Sequence, residues 1–150
     1  MRLQISREQA IALGKNTVEI LEAGYYLTAS GARVDIREQV DEAVLGTVSY
    51  PPGNELPNKS PHSRSMIVEI RNTTTFGGVE YLRFKGFEPA ALNFASATTV
   101  CGGFLNGARA QEEYLARSSA LWACLRGNTM YSYHRARKDP FYSHYVIYSP

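Results

Sequence analysis

Cysteine is scarce in this chain: Cys101 and Cys124 are the only two in 150 residues, and their spacing fits no zinc pattern and no disulfide framework. A reducing setting, cytoplasmic or nuclear, is the expectation. Long apolar runs are missing too. Residues 1–24 are interrupted by Arg2, Arg7, Glu8, Lys15, Glu19 and Glu22, which leaves neither a signal-peptide core nor a membrane span. Neither sign of charge dominates. The net charge is +2, too mild to argue for binding to duplex nucleic acid but compatible with a small anionic ligand. No His, Cys or Asp spacing recurs as a metal site would require, and there is neither an internal repeat nor a low-complexity segment.

What is present is the composition of one globular domain, 44% apolar and 20% charged, with ten tyrosines. Their aromatic faces suit stacking on a base or ring. Ser6 with Gln9 makes a capping-box signature. Ile11, Gly14, Val18 and Leu21 then recur at helical spacing, so the pattern predicts an amphipathic helix over 7–23 ending at Gly24. Tyr25–Thr28 and Arg33–Ile36 alternate around Ser30-Gly31 as a short hairpin would, and a second helix is expected over 37–45. Five residues, Pro51, Pro52, Gly53, Pro57 and Pro61, mark 51–65 as a surface loop, in which His62 would be exposed.

Beyond that loop, Met66–Arg71 is a strand candidate, Asn72–Thr75 offers helix caps, and 76–86 reads as helix despite Gly77-Gly78. Pro89–Ala95 is an apolar run of strand length. Strand, helix, strand, glycine loop and helix in that order make an α/β crossover unit, whose ligands bind beyond the carboxyl ends of the strands. Ala110–Leu125 reads as one helix, 128–137 as a shorter one and His144–Tyr148 as a last strand.

The stretch Cys101-Gly-Gly-Phe-Leu-Asn-Gly-Ala-Arg-Ala-Gln-Glu-Glu113 joins a glycine-rich loop to the acidic start of a helix. Gly102, Gly103 and Gly107 can bring backbone N–H groups close to a phosphate, because glycine adopts positive φ and has no Cβ. Glu112 and Glu113 cannot point the same way, since successive helical residues turn by about 100°. One could protonate a leaving oxygen while the other fixes substrate hydroxyls; equally, two glutamates in a first turn complement the helix dipole and face solvent. Cys101 with His134 or His144 would be a nucleophile pair, but no cysteine-protease signature surrounds it and a small buried thiol is the simpler reading. His134 lies in the basic run Tyr133–Lys138, which reads as a solvated helix face able to attract phosphate.

Asn93-Phe-Ala-Ser96-Ala97, then Gly102-Gly-Phe-Leu-Asn-Gly-Ala-Arg-Ala-Gln-Glu-Glu113, then Leu115-Ala-Arg-Ser-Ser-Ala-Leu121, closely resemble the microbial-type poly(ADP-ribose) glycohydrolases. Ile20–Tyr26 and Ile147–Pro150 extend the resemblance over nearly the whole chain. It implies an α/β fold, a macrodomain-like three-layer α/β/α sandwich with a mixed sheet. It also implies a hydrolase that cleaves ribose–ribose O-glycosidic bonds of poly(ADP-ribose), free or on modified proteins, in the DNA damage response. By the same resemblance Glu113 is the general acid and later the base, and Glu112 orients the ribose. Cys101, Gly102, Gly103, Phe104, Gln111, Ser96 and Asn93 would line the ligand, with no cofactor and no metal required. A non-catalytic ADP-ribose-binding module and a shortened inactive homologue are the alternatives.

The family loop usually reads Lys-Asn-Pro-Gly-Gly-Gly, whereas this chain has Thr98-Thr-Val-Cys-Gly-Gly103. Cys101 thus stands at the first glycine and Val100 at the proline. If that position takes positive φ, a Cβ there costs on the order of 1–2 kcal/mol. Family members usually continue well past the Tyr-Ser-Pro at 148–150. The expected organisation is therefore a single domain: a helical and hairpin region at 1–50, the loop, and a macrodomain-like core at 66–150 short of its C-terminal portion. Uncovered strand edges would then favour a homo-oligomer.

Overall fold

A computed structural model describes residues 5–55 and 66–150, so His62 and most of the expected 51–65 loop lie outside the described residues. The backbone divides into two compact units, one made of residues up to Pro52 together with those from Asn93 onward, the other of Gly53–Leu92.

The larger unit begins with α1 (Arg7–Ala23), capped as its sequence predicts. Ser6 Oγ accepts from the Gln9 N–H at 3.1 Å and Gln9 Oε1 accepts from the Ser6 N–H at 2.7 Å. Gly24 closes the helix at φ +76°, its N–H donating to Ile20 O. β1 (Tyr25–Leu27) and β2 (Arg33–Asp35) form the expected antiparallel hairpin, with Tyr26 opposite Val34, and α2 (Arg37–Leu45) follows. A strand that the pattern does not reveal, β3 (Val48–Tyr50), pairs antiparallel with β4 (Val146–Tyr148), Ser49 facing Ile147. Three residues ahead of Pro51-Pro52 are too few for an alternation to register.

Phe104–Asn106 forms a 3-10 turn and leads to α4 (Gln111–Arg117), α5 (Leu121–Leu125) and α6 (Thr129–Arg137). The helix expected over 110–125 is therefore two helices. Ser119 explains the break: its Oγ donates to Leu115 O at 2.8 Å and accepts from the Leu121 N–H at 3.2 Å, competing with the backbone ladder. Thr17 Oγ1 on α1 takes up the Arg117 carbonyl at 2.9 Å, satisfying the end of α4.

The core sits beneath the glycine loop. Cys101, Phe104, Ala116, Leu125, Met130 and Tyr131 pack together, with Val18, Val100 and Trp122 partly buried against them. Leu21, Val40 and Ala123 tie α1, α2 and α5. Gly14 lets α1 approach the loop, because a Cβ there would lie 2.9 Å from Phe104 O.

The smaller unit holds α3 (Thr75–Phe84), whose N-cap Thr74 accepts from the Gly77 N–H at 3.1 Å, as the caps at 72–75 predict. Met66–Arg71 forms no strand, contrary to its pattern. Ile67 and Ile70 are 91% and 94% exposed, and among the described residues no segment pairs with theirs. Alternating side chains stabilise a strand only where a neighbour completes the ladder.

Pro89–Ala95 is likewise no strand. The reason is visible beyond Leu92: the Phe94 N–H donates to Gln111 Oε1 at 2.9 Å and the Ser96 N–H to Glu112 Oε2 at 2.8 Å, so these amides go to side chains of α4. The described residues are mixed α/β with two two-stranded antiparallel sheets, and the parallel crossover unit expected over 66–113 is not formed among them.

Candidate active site

Glu112 and Glu113 begin α4 and are 4% and 7% exposed, which removes the solvent-facing reading of the pair. Burying two adjacent carboxylates requires donors for them. Glu113 Oε1 accepts from the Gly103 N–H at 2.9 Å and Oε2 from the Ala110 N–H at 3.0 Å. Glu112 Oε2 accepts from the Ser96 N–H at 2.8 Å, and Oε1 from Asn93 Nδ2 at 3.4 Å. Burial first, and then the Glu113 charge, push the Glu112 carboxyl above its ordinary value of 4.5, against the lowering effect of Ser96 and Asn93.

Gly102 is the reason both carboxylates can converge on the loop. At φ +57°, a Cβ on it would run into Glu113 Oε1 and stand 3.0 Å from Glu112 Oε2. The loop is less open than an anion cradle. Gly102 N–H donates to Thr99 O at 3.1 Å, Gly103 N–H to Glu113, and Phe104 N–H to Cys101 O at a long 3.4 Å. Its nearer amides are thus engaged with the protein itself, and its backbone wraps the acidic pair. Ser96 Oγ accepts from Thr99 N–H at 3.1 Å and Arg135 Nη1 donates to Thr98 O at 2.6 Å, which fixes the loop's entry.

A family model for the microbial-type PARG catalytic domain matches residues 14–150. The chain belongs to this family. Two solved structures of PARG, the poly(ADP-ribose) glycohydrolase of Thermomonospora curvata, are similar to it, each with a TM-score of 0.81 over 95% of this chain. One, bound to the inhibitor ADP-HPD, is 40% identical; the other is 41% identical. This chain covers 53% and 55% of theirs, about half the length of these relatives. No curated protein matches it.

Within this PARG-family frame the fold gathers all nine residues singled out from sequence at one place, by different means. Asn93 Nδ2 and the Ser96 N–H donate to Glu112, the Gly103 N–H donates to Glu113, Gln111 Oε1 accepts from the neighbouring Phe94 N–H, and Gly102 lies against both carboxylates. Cys101 and Phe104 are 0% and 2% exposed, backbone included, so they support the loop from beneath, while Gly102 and Gly103 between them are partly exposed. Cys101 does take φ +52°, as the glycine it replaces would allow. Its burial, with the Glu112 charge next, pushes the thiol up to about 12, which rules out a ready thiolate nucleophile. His134 is held elsewhere, with Nδ1 3.0 Å from Met130 O and Nε2 2.8 Å from Ser143 Oγ.

Two residues of the site escape sequence reasoning. Arg117 stands one turn after Glu113, donates to Ala108 O at 2.9 Å and feels the Glu113 charge; its i,i+4 spacing was the available signal. Tyr131 is 2% exposed, and its hydroxyl, beside the Cys101 backbone, lacks a well-formed hydrogen bond among the described residues. Nothing in its local pattern announces it.

Proposed function

We propose that this chain carries the catalytic half-site of a poly(ADP-ribose) glycohydrolase, with ADP-ribose polymer, free or attached to protein, as its substrate. The observation that carries the reading is the pair of buried, adjacent carboxylates wrapped by the glycine loop. Glu113, protonated, gives its proton to the oxygen leaving the ribose anomeric carbon as that C–O bond breaks. The carboxylate that remains, held in place by the Gly103 and Ala110 N–H groups, takes a proton from the incoming water. That water's oxygen bonds to the anomeric carbon, and Glu113 is again protonated.

Glu112 orients the ribose. Each of its oxygens accepts one donor from the protein and keeps a lone pair for a sugar hydroxyl. Its carboxylate also lies where positive charge develops in an oxocarbenium-like transition state. The partly exposed backbone of Gly102 and Gly103, with Ser96, Asn93 and Gln111, lines the ribose and diphosphate, and Cys101 and Phe104 hold that loop from beneath. No metal or redox cofactor enters these steps. Two free, buried thiols suit a reducing compartment, the cytoplasm or the nucleus, where ADP-ribose turnover would serve the DNA damage response.

Release of ADP-ribose from poly(ADP-ribose) tests the reading. The chain should release it and Glu113→Gln should not; equal release by both refutes the acid, and binding without any release favours a non-catalytic module.

A further inference from the structure

Arginine side chains hold carbonyls of the glycine loop and its exit. Arg135 of α6 donates to Thr98 O, Arg7 of α1 donates through Nε to Asn106 O at 3.1 Å, and Arg117 donates to Ala108 O at 2.9 Å. Of these, Arg117 alone stands on α4, the helix that carries Glu113. Four residues on from Glu113, it shares that residue's helix face. A long helical side chain leans back toward the N-terminus, which brings the guanidinium to Ala108. Burial holds its pKa below the ordinary arginine value, and the nearby Glu113 charge acts the other way.

Ala108 is joined to both amides that grip Glu113. Its N–H donates to Gly103 O at 3.1 Å, and the Gly103 N–H donates to Glu113 Oε1. Two residues further on, the Ala110 N–H donates to Oε2. Ala110 is the N-cap of α4 but has no side-chain oxygen, so its own side chain does not fix this turn against the helix. The Arg117 bond to Ala108 O ties the end of α4 back to the segment that leads into its start. That end is itself anchored, because Thr17 Oγ1 of α1 donates to the Arg117 carbonyl.

We propose that Arg117 is a positioning residue for the glycohydrolase reaction: through Ala108 it holds the Gly103 and Ala110 amides in place, and through them the orientation of the Glu113 carboxyl. This rests on the reading of Glu113 as the acid. A proton donor must lie within hydrogen-bond reach of the leaving oxygen, and a misplacement of about 1 Å costs on the order of 100-fold in rate. The loss of Arg117 therefore falls on kcat and leaves KM in place.

Arg117→Met tests this, since it keeps the apolar stem and removes every donor. Per folded enzyme, its kcat for release of ADP-ribose from the polymer should fall roughly tenfold or more, with KM within about twofold of wild type. Arg117→Lys, which keeps a charged donor on nearly the same reach, should regain most of that loss. Hydrogen exchange followed by NMR is the second arm and needs no catalysis. The Gly103 and Ala110 amides should exchange roughly tenfold faster in Arg117→Met, with those of Gly14 in α1 and His134 in α6 unchanged. Should the methionine variant not fold, Arg117→Gln, whose amide ends two bonds short of Nη1, is read in the same way. Unchanged exchange at Gly103 and Ala110 overturns the proposal, and so does a change in KM alone. Protection lost evenly over the chain, as a merely structural residue would give, also overturns it. A wild-type chain that releases no ADP-ribose refutes the glycohydrolase reading instead, and the exchange arm still decides whether Arg117 holds the two amides on Glu113.

Discussion

Gly103 donates its backbone N–H to Glu113 Oε1 across 2.9 Å, so the loop and the carboxyl it wraps are one hydrogen-bonded unit. Removing the carboxyl therefore touches structure as well as chemistry. Glu113→Ala leaves the Gly103 and Ala110 amides without their acceptor and should cost about 1–3 kcal/mol in urea unfolding. Glu113→Gln keeps one acceptor oxygen and should cost less than the alanine variant.

Ala110 is the N-cap of α4 and has an extended backbone, φ −84° and ψ −173°, but no side-chain oxygen. Only half of a capping box is present, the Glu113 carboxyl reaching back to the Ala110 N–H. Ala110→Ser supplies the other half by accepting from the Glu113 N–H, and should stabilise the chain by about 1 kcal/mol, read as a raised midpoint of urea unfolding.

The pH dependence follows from Glu112. Its carboxyl is raised in the folded chain, so the fold binds that proton more tightly than the unfolded chain does. Its contribution is fully present below the ordinary value of 4.5 and is lost as pH rises through the higher folded value. Glu112→Gln cannot ionise. The stability difference between wild type and Glu112→Gln should therefore shift in favour of the variant as pH rises above 4.5, measured by urea unfolding across that range.

Cys101 holds φ +52° with its side chain fully buried. Cys101→Gly relieves the backbone but empties the side-chain site and loosens the unfolded chain; these effects oppose, and stability should stay within about 1 kcal/mol of wild type. Cys101→Val puts a β-branched residue at positive φ and should cost a further 1–2 kcal/mol or so. Thermal unfolding of the two variants side by side measures the difference.

Local signals were readable where one residue and its neighbours decide the outcome. The Ser6–Gln9 box, the Gly24 stop, the hairpin at Ser30-Gly31 and the Thr74 cap all formed as their residues require. Signals that depend on a distant partner misled. Met66–Arg71 and Pro89–Ala95 carry strand-like sequence, yet a strand needs a neighbour, and none pairs with them among the described residues. In the site, Glu112, Glu113 and the glycines could be found from their order along the chain. The inward turn of the loop amides could not, because it depends on Glu113 folding back over ten residues to Gly103. Tyr131 joins the site only through tertiary packing beneath Cys101.

The structure of the chain with ADP-ribose bound tests the central claim most directly. The account predicts the ribose within hydrogen-bond reach of both Glu112 and Glu113, with the diphosphate along the Gly102–Gly103 backbone. A ligand bound away from the two carboxylates, or no saturable binding of ADP-ribose, would contradict it.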